Sequence, residues 1–169
     1  MNTSKISTAL EIISRHHVAD VCIDSLTAHH SLHAAAAFNA GERILRFSAL
    51  TTQESATYLT IQTGTNTHIT LYPEFLQYVN HSCDPNIFFD TASMEVIALK
   101  PIQPGDELCF FYPSTEWEMA QPFLCRCESP DCLQFIDGAA NLSTEILSKY
   151  RLTNFISEQL KLKNSYKSL

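Results

Sequence analysis

The spacing of hydrophobic positions changes along the chain. Over Thr3–Arg15, Ile6, Leu10 and Ile13 recur at three- and four-residue intervals, which predicts an amphipathic helix capped by Thr3 or Ser4. From about Ala19 to Tyr112 that period gives way to short β-branched and aromatic runs. Glu42–Ser48, Tyr58–Gln62, His68–Leu71, Asn86–Phe89, Glu95–Leu99 and Glu107–Tyr112 predict strands. Turn residues separate them at Ala40-Gly41, Gly64-Thr65-Asn66, Asp84-Pro85 and Pro104-Gly105-Asp106. Pro73–Tyr78 predicts one short helical turn. Gln121–Asp137 is loop-like and carries cysteines. From about Leu142 to Leu162, Ile146, Leu147, Tyr150, Phe155, Ile156 and Leu160 form a wide apolar stripe, which predicts a second amphipathic helix with Ser143 as its cap. Lys161–Leu169 is expected to fray.

Composition narrows the class. A chain of 169 residues with 45% hydrophobic and 17% charged positions suits one globular domain with a core of its own. The net charge of −7 and pI near 5.4 repel nucleic-acid phosphates, so a basic peptide is the more natural partner and direct DNA or RNA binding is not expected. The hydrophobic run near the N-terminus is interrupted by Lys5, Glu11 and Arg15, and no stretch approaches the ~20 apolar residues of a membrane span. The expectation is a soluble intracellular protein, with no membrane partner and with thiols in a reducing compartment. There, metal binding is favoured over a disulfide framework.

Cys125, Cys127 and Cys132 form a C-x-C-x4-C cluster. Zinc takes four thiolate or imidazole ligands in a tetrahedron, so one position stays open. Cys22, Cys83, Cys109 or a histidine could fill it. Cys109 falls within a predicted strand and Cys22 in an apolar patch, which suits small core residues. Cys83, in the polar loop Asn80-His81-Ser82-Cys83-Asp84-Pro85-Asn86, is the best candidate.

That same loop resembles the N-H-S-C-x-P-N signature of SET-domain methyltransferases. Gly105-Asp106-Glu107-Leu108-Cys109-Phe110-Phe111-Tyr112 is similar to the family's G-E-E-L-T-x-x-Y strand, and the three clustered cysteines match its post-SET segment. The resemblance covers roughly residues 28–138. It implies a mostly β fold of several small antiparallel sheets with flanking helices and a knot-like crossing between the signature loop and the tyrosine segment. The implied organisation is an N-terminal helix (1–18), a SET domain (19–117), a post-SET zinc segment (118–138) and a C-terminal helix and tail (139–169).

The implied function is transfer of a methyl group from S-adenosylmethionine to a lysine side chain of a protein, a histone tail being the default substrate. A nuclear location would follow in a eukaryote and a cytoplasmic one otherwise. Tyr112 corresponds to the catalytic tyrosine. Asn80 and His81 correspond to cofactor contacts, and Phe135 could cover the adenine ring. Tyr58 either borders the lysine channel or packs across strands. Tyr78 and Trp117 are channel-wall or core residues, and Asn86 closes the signature turn. The implied structural zinc is held by Cys83, Cys125, Cys127 and Cys132. The motifs contain no strong general base.

The chain departs from the family pattern in places. Counted back from Phe38-Asn39-Ala40-Gly41-Glu42, the G-x-G expected near the cofactor falls on His29-His30-Ser31-Leu32, which has no glycine; the resemblance still places these four residues against the cofactor, between the Asn80-His81 loop and the post-SET segment. Phe111 stands where relatives often have Asp, and Leu133-Gln134 replaces the usual Arg-Gly after the last cysteine. These differences leave room for an alternative: a SET-like protein that does not methylate protein, and serves as a binding module or acts on a small molecule.

Overall fold

The computed structural model describes residues 10–167. Short strands in small sheets dominate. β1 (Leu10–Arg15), β2 (Ala19–Asp24) and β3 (His30–Ala34) form an antiparallel meander. β4 (Arg43–Arg46) joins a sheet completed later in the chain. β5 (Ser48–Gln53), β6 (Ile61–Gly64) and β7 (Thr67–Tyr72) form another, in the order β5-β7-β6. A short 3-10 helix, Glu74–Tyr78, leads to β8 (Asn80–His81). β9 (Ile87–Asp90) and β10 (Glu95–Ala98) pair antiparallel and add to β4.

The core explains why these strands hold together. Val21 and Leu32 from the first sheet, Ile44, Phe89 and Val96 from the β4-β10-β9 sheet, and Ile102 and Leu108 from the chain that follows are buried in one core cluster. Strands this short cannot bury an apolar face alone. β3 also meets the segment before the tyrosine strand: Leu108 N–H donates to Leu32 O (2.7 Å) and Ala34 N–H to Asp106 O (2.8 Å). β11 (Cys109–Phe110) then lies parallel to β8, with Asn80 opposite Cys109 and His81 opposite Phe110. Two motifs far apart in sequence thus share a two-stranded ladder. β12 (Phe123–Leu124) and β13 (Phe135–Ile136) close the cysteine loop as a hairpin.

Several expectations are corrected. The helix over Thr3–Arg15 is not formed from Leu10 onward; residues 3–9 lie outside the described residues. Leu10–Arg15 is a strand paired with β2. Ile12 and Ile13, β-branched and stiff, fit an extended chain, and β2 supplies hydrogen-bond partners that a helix would have had to find locally. Tyr58–Thr60 is a turn and not the start of a strand, because Thr57 N–H donates to Thr60 Oγ1 (2.9 Å) and Thr60 Oγ1 donates to Thr57 O (3.0 Å). The long C-terminal helix is two: α1 (Thr144–Leu147), capped by Ser143, and α2 (Asn154–Lys167).

The break between them is held from outside. Tyr150 donates to Cys83 O (2.9 Å), Arg151 pairs with Asp90 (3.0 Å), and Thr153 N–H donates to Ser114 O (3.1 Å). α2 is helical through Lys167, beyond the expected fraying point. Phe111, Ala139, Leu147 and Ile156 form a second buried cluster that docks this C-terminal layer behind the tyrosine segment.

Candidate active site and cysteine cluster

One cavity of about 900 Å³ runs between the signature loop, the Thr57–Ile61 turn and the cysteine segment. Tyr112, Asn80, His81, Tyr78, Tyr58, His29 and His30 all line it. The fold places them there for different local reasons. Asn80 and His81 arrive on β8. Tyr112 begins a 3-10 turn, Tyr112–Ser114, one residue after β11. His30 opens β3 and stacks on Tyr78 (centroids 5.1 Å apart), so an imidazole stands where a glycine would leave open backbone. Asn80 bridges two walls, donating from Nδ2 to His30 O (3.0 Å) and to Glu107 Oε1 (2.9 Å).

Other sequence-predicted residues sit elsewhere. Leu32 is fully buried in the main core, and Ser31 is buried with its hydroxyl against His33 Nε2 (3.0 Å); neither side chain lines the cavity. Phe135 is half exposed, outside the cavity lining. Trp117 packs with the C-terminal cluster, leaving channel-wall duty to others. Asn86 is a clamp: its Nδ2 donates to Glu107 O (2.8 Å) and its Oδ1 accepts from Cys109 N–H (2.9 Å).

Tyr112 donates its hydroxyl to Val79 O (3.2 Å). Burial, with the nearby Cys109 and Glu107, raises its pKa well above the ordinary range, so it remains a neutral donor. His81 is the hinge of the site. Burial lowers its pKa to about 4, leaving a neutral ring at physiological pH. Nδ1 accepts from Tyr112 N–H (3.2 Å), so the proton resides on Nε2, 3.3 Å from Cys83 Sγ. Both nitrogens are thereby engaged, and the ring offers a cofactor only its edge. It ties the tyrosine segment to the cysteine cluster.

The Sγ atoms of Cys83, Cys125, Cys127 and Cys132 all lie within 4.8 Å of one another. A tetrahedral zinc with Zn–S ~2.3 Å sets sulfurs ~3.8 Å apart. Cys83 and Cys125 are 4.0 Å apart. Backbone N–H groups already point at the sulfurs, from Leu133 to Cys83 (3.4 Å), Gln134 to Cys132 (3.4 Å) and Cys83 to Cys127 (3.5 Å). Such donors stabilise metal-bound thiolates. Burial opposes ionisation of Cys127, yet the N–H groups of Cys83 and Ser129 and neighbouring thiols bring its pKa down to about 6. The donor set therefore fits a closed structural zinc site.

Two cavity residues escaped the sequence reading. Phe123 meets His81 and Tyr112 edge-on at 5.6 and 6.0 Å. Its alternation with exposed Leu124 and clustered Cys125 was the available signal. Glu116 is 7% exposed and faces the cavity. No local pattern marks an acid as buried.

The SET domain family model matches residues 18–113, more than half of the chain. The chain belongs to the SET domain family. Among related proteins, methyltransferase flvH of Aspergillus flavus is 44% identical over 119 residues, covering 68% of this chain and 66% of that one. The histone-lysine N-methyltransferase, H3 lysine-36 specific, of Saccharomyces cerevisiae is 30% identical over 87 residues, 48% of this chain but 12% of that protein. This SET chain thus spans only a small part of the histone-directed relative. A solved structure of KRYPTONITE in complex with mCHH DNA, H3(1–15) peptide and SAH aligns with a TM-score of 0.52 at 18% identity, over 72% of this chain and 30% of that one. KRYPTONITE with mCHG DNA and SAH gives a TM-score of 0.50 at 18% identity, over 63% and 26%. At this identity the likeness is one of fold, the SET arrangement of small, mostly antiparallel sheets.

Within the SET frame, two departures from the family pattern gain a physical reason. Phe111 is buried and stacks on Tyr150 at 3.7 Å and 5°. An Asp there would lose that contact, worth ~0.5–1.5 kcal/mol beyond area burial, and would bury a charge. Gln134, in place of the usual glycine, adopts φ 65 in the left-handed region, so this chain keeps the turn at some backbone cost.

Proposed function

We propose that this SET protein transfers a methyl group from S-adenosylmethionine to a lysine side-chain amine of a protein, with a histone tail as the substrate. The observation that carries this is the convergence of Tyr112, Asn80 and His81 on one cavity bordered by the four-cysteine cluster. The names of the histone-directed relatives support the substrate, and the chain's net charge of −7 suits a basic tail. A nuclear location follows from that substrate. Among the described residues, no helix is long and apolar enough to cross a membrane.

S-adenosylmethionine, when bound, supplies an electrophilic methyl group on a sulfonium. The chain's task is alignment and exclusion of water. Asn80 holds the β3 wall at the correct distance from β8. The cofactor groove comprises this wall, with His29 and His30, together with the cysteine loop. Cys83, Cys125, Cys127 and Cys132 would hold a zinc ion, whose binding would order that loop over the groove. The aromatic rings of Tyr112, Phe123 and Tyr78 make the lysine channel dry, and a dry channel favours the neutral amine. The Tyr112 hydroxyl, a permanent donor and acceptor, orients the amine.

The domain assignment follows the same reading: residues 19–117 as the SET domain and 118–138 as the post-SET zinc segment, with the C-terminal helices completing the back of the site. Calorimetry with S-adenosylmethionine tests the reading. The expected result is one cofactor per chain, with affinity reduced in His81→Ala. A chain with no cofactor affinity would instead be a binding module.

A second reading, an amine on a small molecule, is favoured by one observation. The relative matched over most of its length is named only as a methyltransferase. Methylation of a free amine with no protein acceptor would establish it.

A further inference from the structure

The cavity holds a carboxyl that none of the motifs supplies. Glu116 follows the tyrosine turn and is anchored to it, its N–H donating to Tyr112 O (3.1 Å). Its Oε1 accepts from Gln62 N–H (2.9 Å) and from Thr115 Oγ1 (3.1 Å). These two contacts are the hydrogen bonds the carboxyl makes among the described residues, and both fall on one oxygen. Oε2 is left for the cavity.

The second wall behind Glu116 is fixed as well. Its carbonyl accepts from Ala139 N–H (2.9 Å), and Trp117 N–H donates to Gln62 Oε1 (3.0 Å). Tyr112, Phe123, Ile61 and Leu76 line the same cavity, and a buried acid held this firmly is costly without a cation to meet. Of the two acids lining the cavity, Glu107 is engaged by Asn80 (2.9 Å). Glu116 is the buried one of the two, with one oxygen still open to a cation.

We propose that Glu116 is the substrate-side carboxylate, which docks the ammonium of an incoming alkyl amine and takes its proton before methyl transfer. The proposal rests on the reading of the chain as an amine methyltransferase and names the group that selects the amine. The substrate class is a cationic primary alkyl amine, with lysine as its protein form.

The proton step balances simply. An N–H bond of the ammonium breaks and an O–H bond forms on Glu116, giving a neutral amine and a neutral acid. The amine lone pair then forms the N–C bond to the sulfonium methyl while the C–S bond breaks, its electron pair remaining on sulfur. The product leaves as a methylammonium, and Glu116 returns its proton to water. Burial raises the Glu116 pKa to about 7, against the opposing pull of its Gln62 and Thr115 hydrogen bonds, which suits a group that must accept a proton and release it near neutral pH. Of the other titratable groups lining the cavity, His81 is committed to Tyr112 N–H and Cys83 Sγ and Tyr112 to Val79 O, while Glu107, His29, His30, Tyr58, Tyr78, Cys109, Arg126 and the cluster thiols Cys125 and Cys127 complete the set that faces the same space.

The test compares two isosteric probes on protein saturated with S-adenosylhomocysteine. Nα-acetyl-lysine methylamide carries the ammonium; Nα-acetyl-2-aminoheptanoic acid methylamide carries a methyl group in its place. Wild type is expected to prefer the lysine probe by roughly 10–100-fold, the range of a buried charge-assisted hydrogen bond. Glu116→Gln, which can still accept from Gln62 and Thr115, should reduce the preference to within about three-fold while S-adenosylhomocysteine affinity holds. A preference retained in Glu116→Gln, or absent in wild type, overturns the proposal. Should the variant not fold, carboxyl NMR of wild type decides the matter. The lysine probe should lower the Glu116 titration midpoint, and an unmoved midpoint overturns the assignment. Failure of the parent reading looks different. A wild type with the Glu116-dependent preference that moves no methyl group refutes methyl transfer and leaves the amine site standing.

Discussion

Tyr112 keeps its hydroxyl proton chiefly because it is buried, with Cys109 and Glu107 close by opposing ionisation. Removing that hydroxyl should therefore affect orientation and little else. Tyr112→Phe is expected to slow transfer to a lysine peptide by ~10²–10³, as loss of one preorganised donor does, while cofactor affinity stays within a few-fold. Single-turnover kinetics beside a binding isotherm checks the split; equal activity would mean the wrong tyrosine. Glu116 makes the opposite prediction for stability. Its pKa is raised from the ordinary 4.5 to about 7, so the fold favours the protonated acid. The penalty is absent below about pH 4, grows as pH rises through the folded value, and is constant above about pH 7. Glu116→Gln should stabilise the protein by roughly 1–3 kcal/mol at pH 8 and hardly at pH 4, read as Tm at both pH values. A Tm gain that does not depend on pH would contradict the raised pKa. Neither the burial of Glu116 nor the engagement of both His81 nitrogens is legible in sequence, because each depends on segments distant along the chain.

At the scale of elements, the cysteine hairpin and the C-terminal helices carry the site's back wall. The spacing of Cys125, Cys127 and Cys132 was readable as a metal loop, since local ligands need only a short turn to converge. Purified protein should contain one zinc per chain. Chelation should speed amide exchange over residues 123–136 and leave β9 and β10 unchanged; metal-free protein with an ordered hairpin would refute the site. His81→Ala cuts the link between this hairpin and Tyr112, and should weaken cofactor binding by ~1–3 kcal/mol. Gly138 lies where the chain crosses behind the site: a Cβ there would meet Trp117 O at 2.1 Å. Gly138→Ala should lower Tm by forcing the Trp117 and Glu118 backbone apart, at a cost of ~1–3 kcal/mol. An unchanged Tm would show that this crossing is slack. The strand β1 was misread as helix because Ile6, Leu10 and Ile13 satisfy a helical period, and only the pairing with β2 decides otherwise. The C-terminal stripe was read as one helix and is two, and the break over Ser148–Thr153 depends on Tyr150, Arg151 and Thr153 reaching other segments.

For the whole molecule, the order of motifs in the sequence was enough to identify the SET frame, and the structure adds why those motifs must meet. β8 and β11 form the ladder that brings Asn80, His81 and Tyr112 to one cavity. The cysteine cluster closes one side, and the stack of Phe111 on Tyr150 braces the rear. The central claim is that this cavity joins a methyl donor to a lysine amine. The most direct measurement incubates the zinc-loaded chain with S-adenosylmethionine and histone H3, then examines the lysines by mass spectrometry, with Tyr112→Phe in parallel. The account predicts methylated lysine from wild type and at least ~10²-fold less from the variant. Bound cofactor with no methylated lysine on histone, or equal methylation by both proteins, would contradict it.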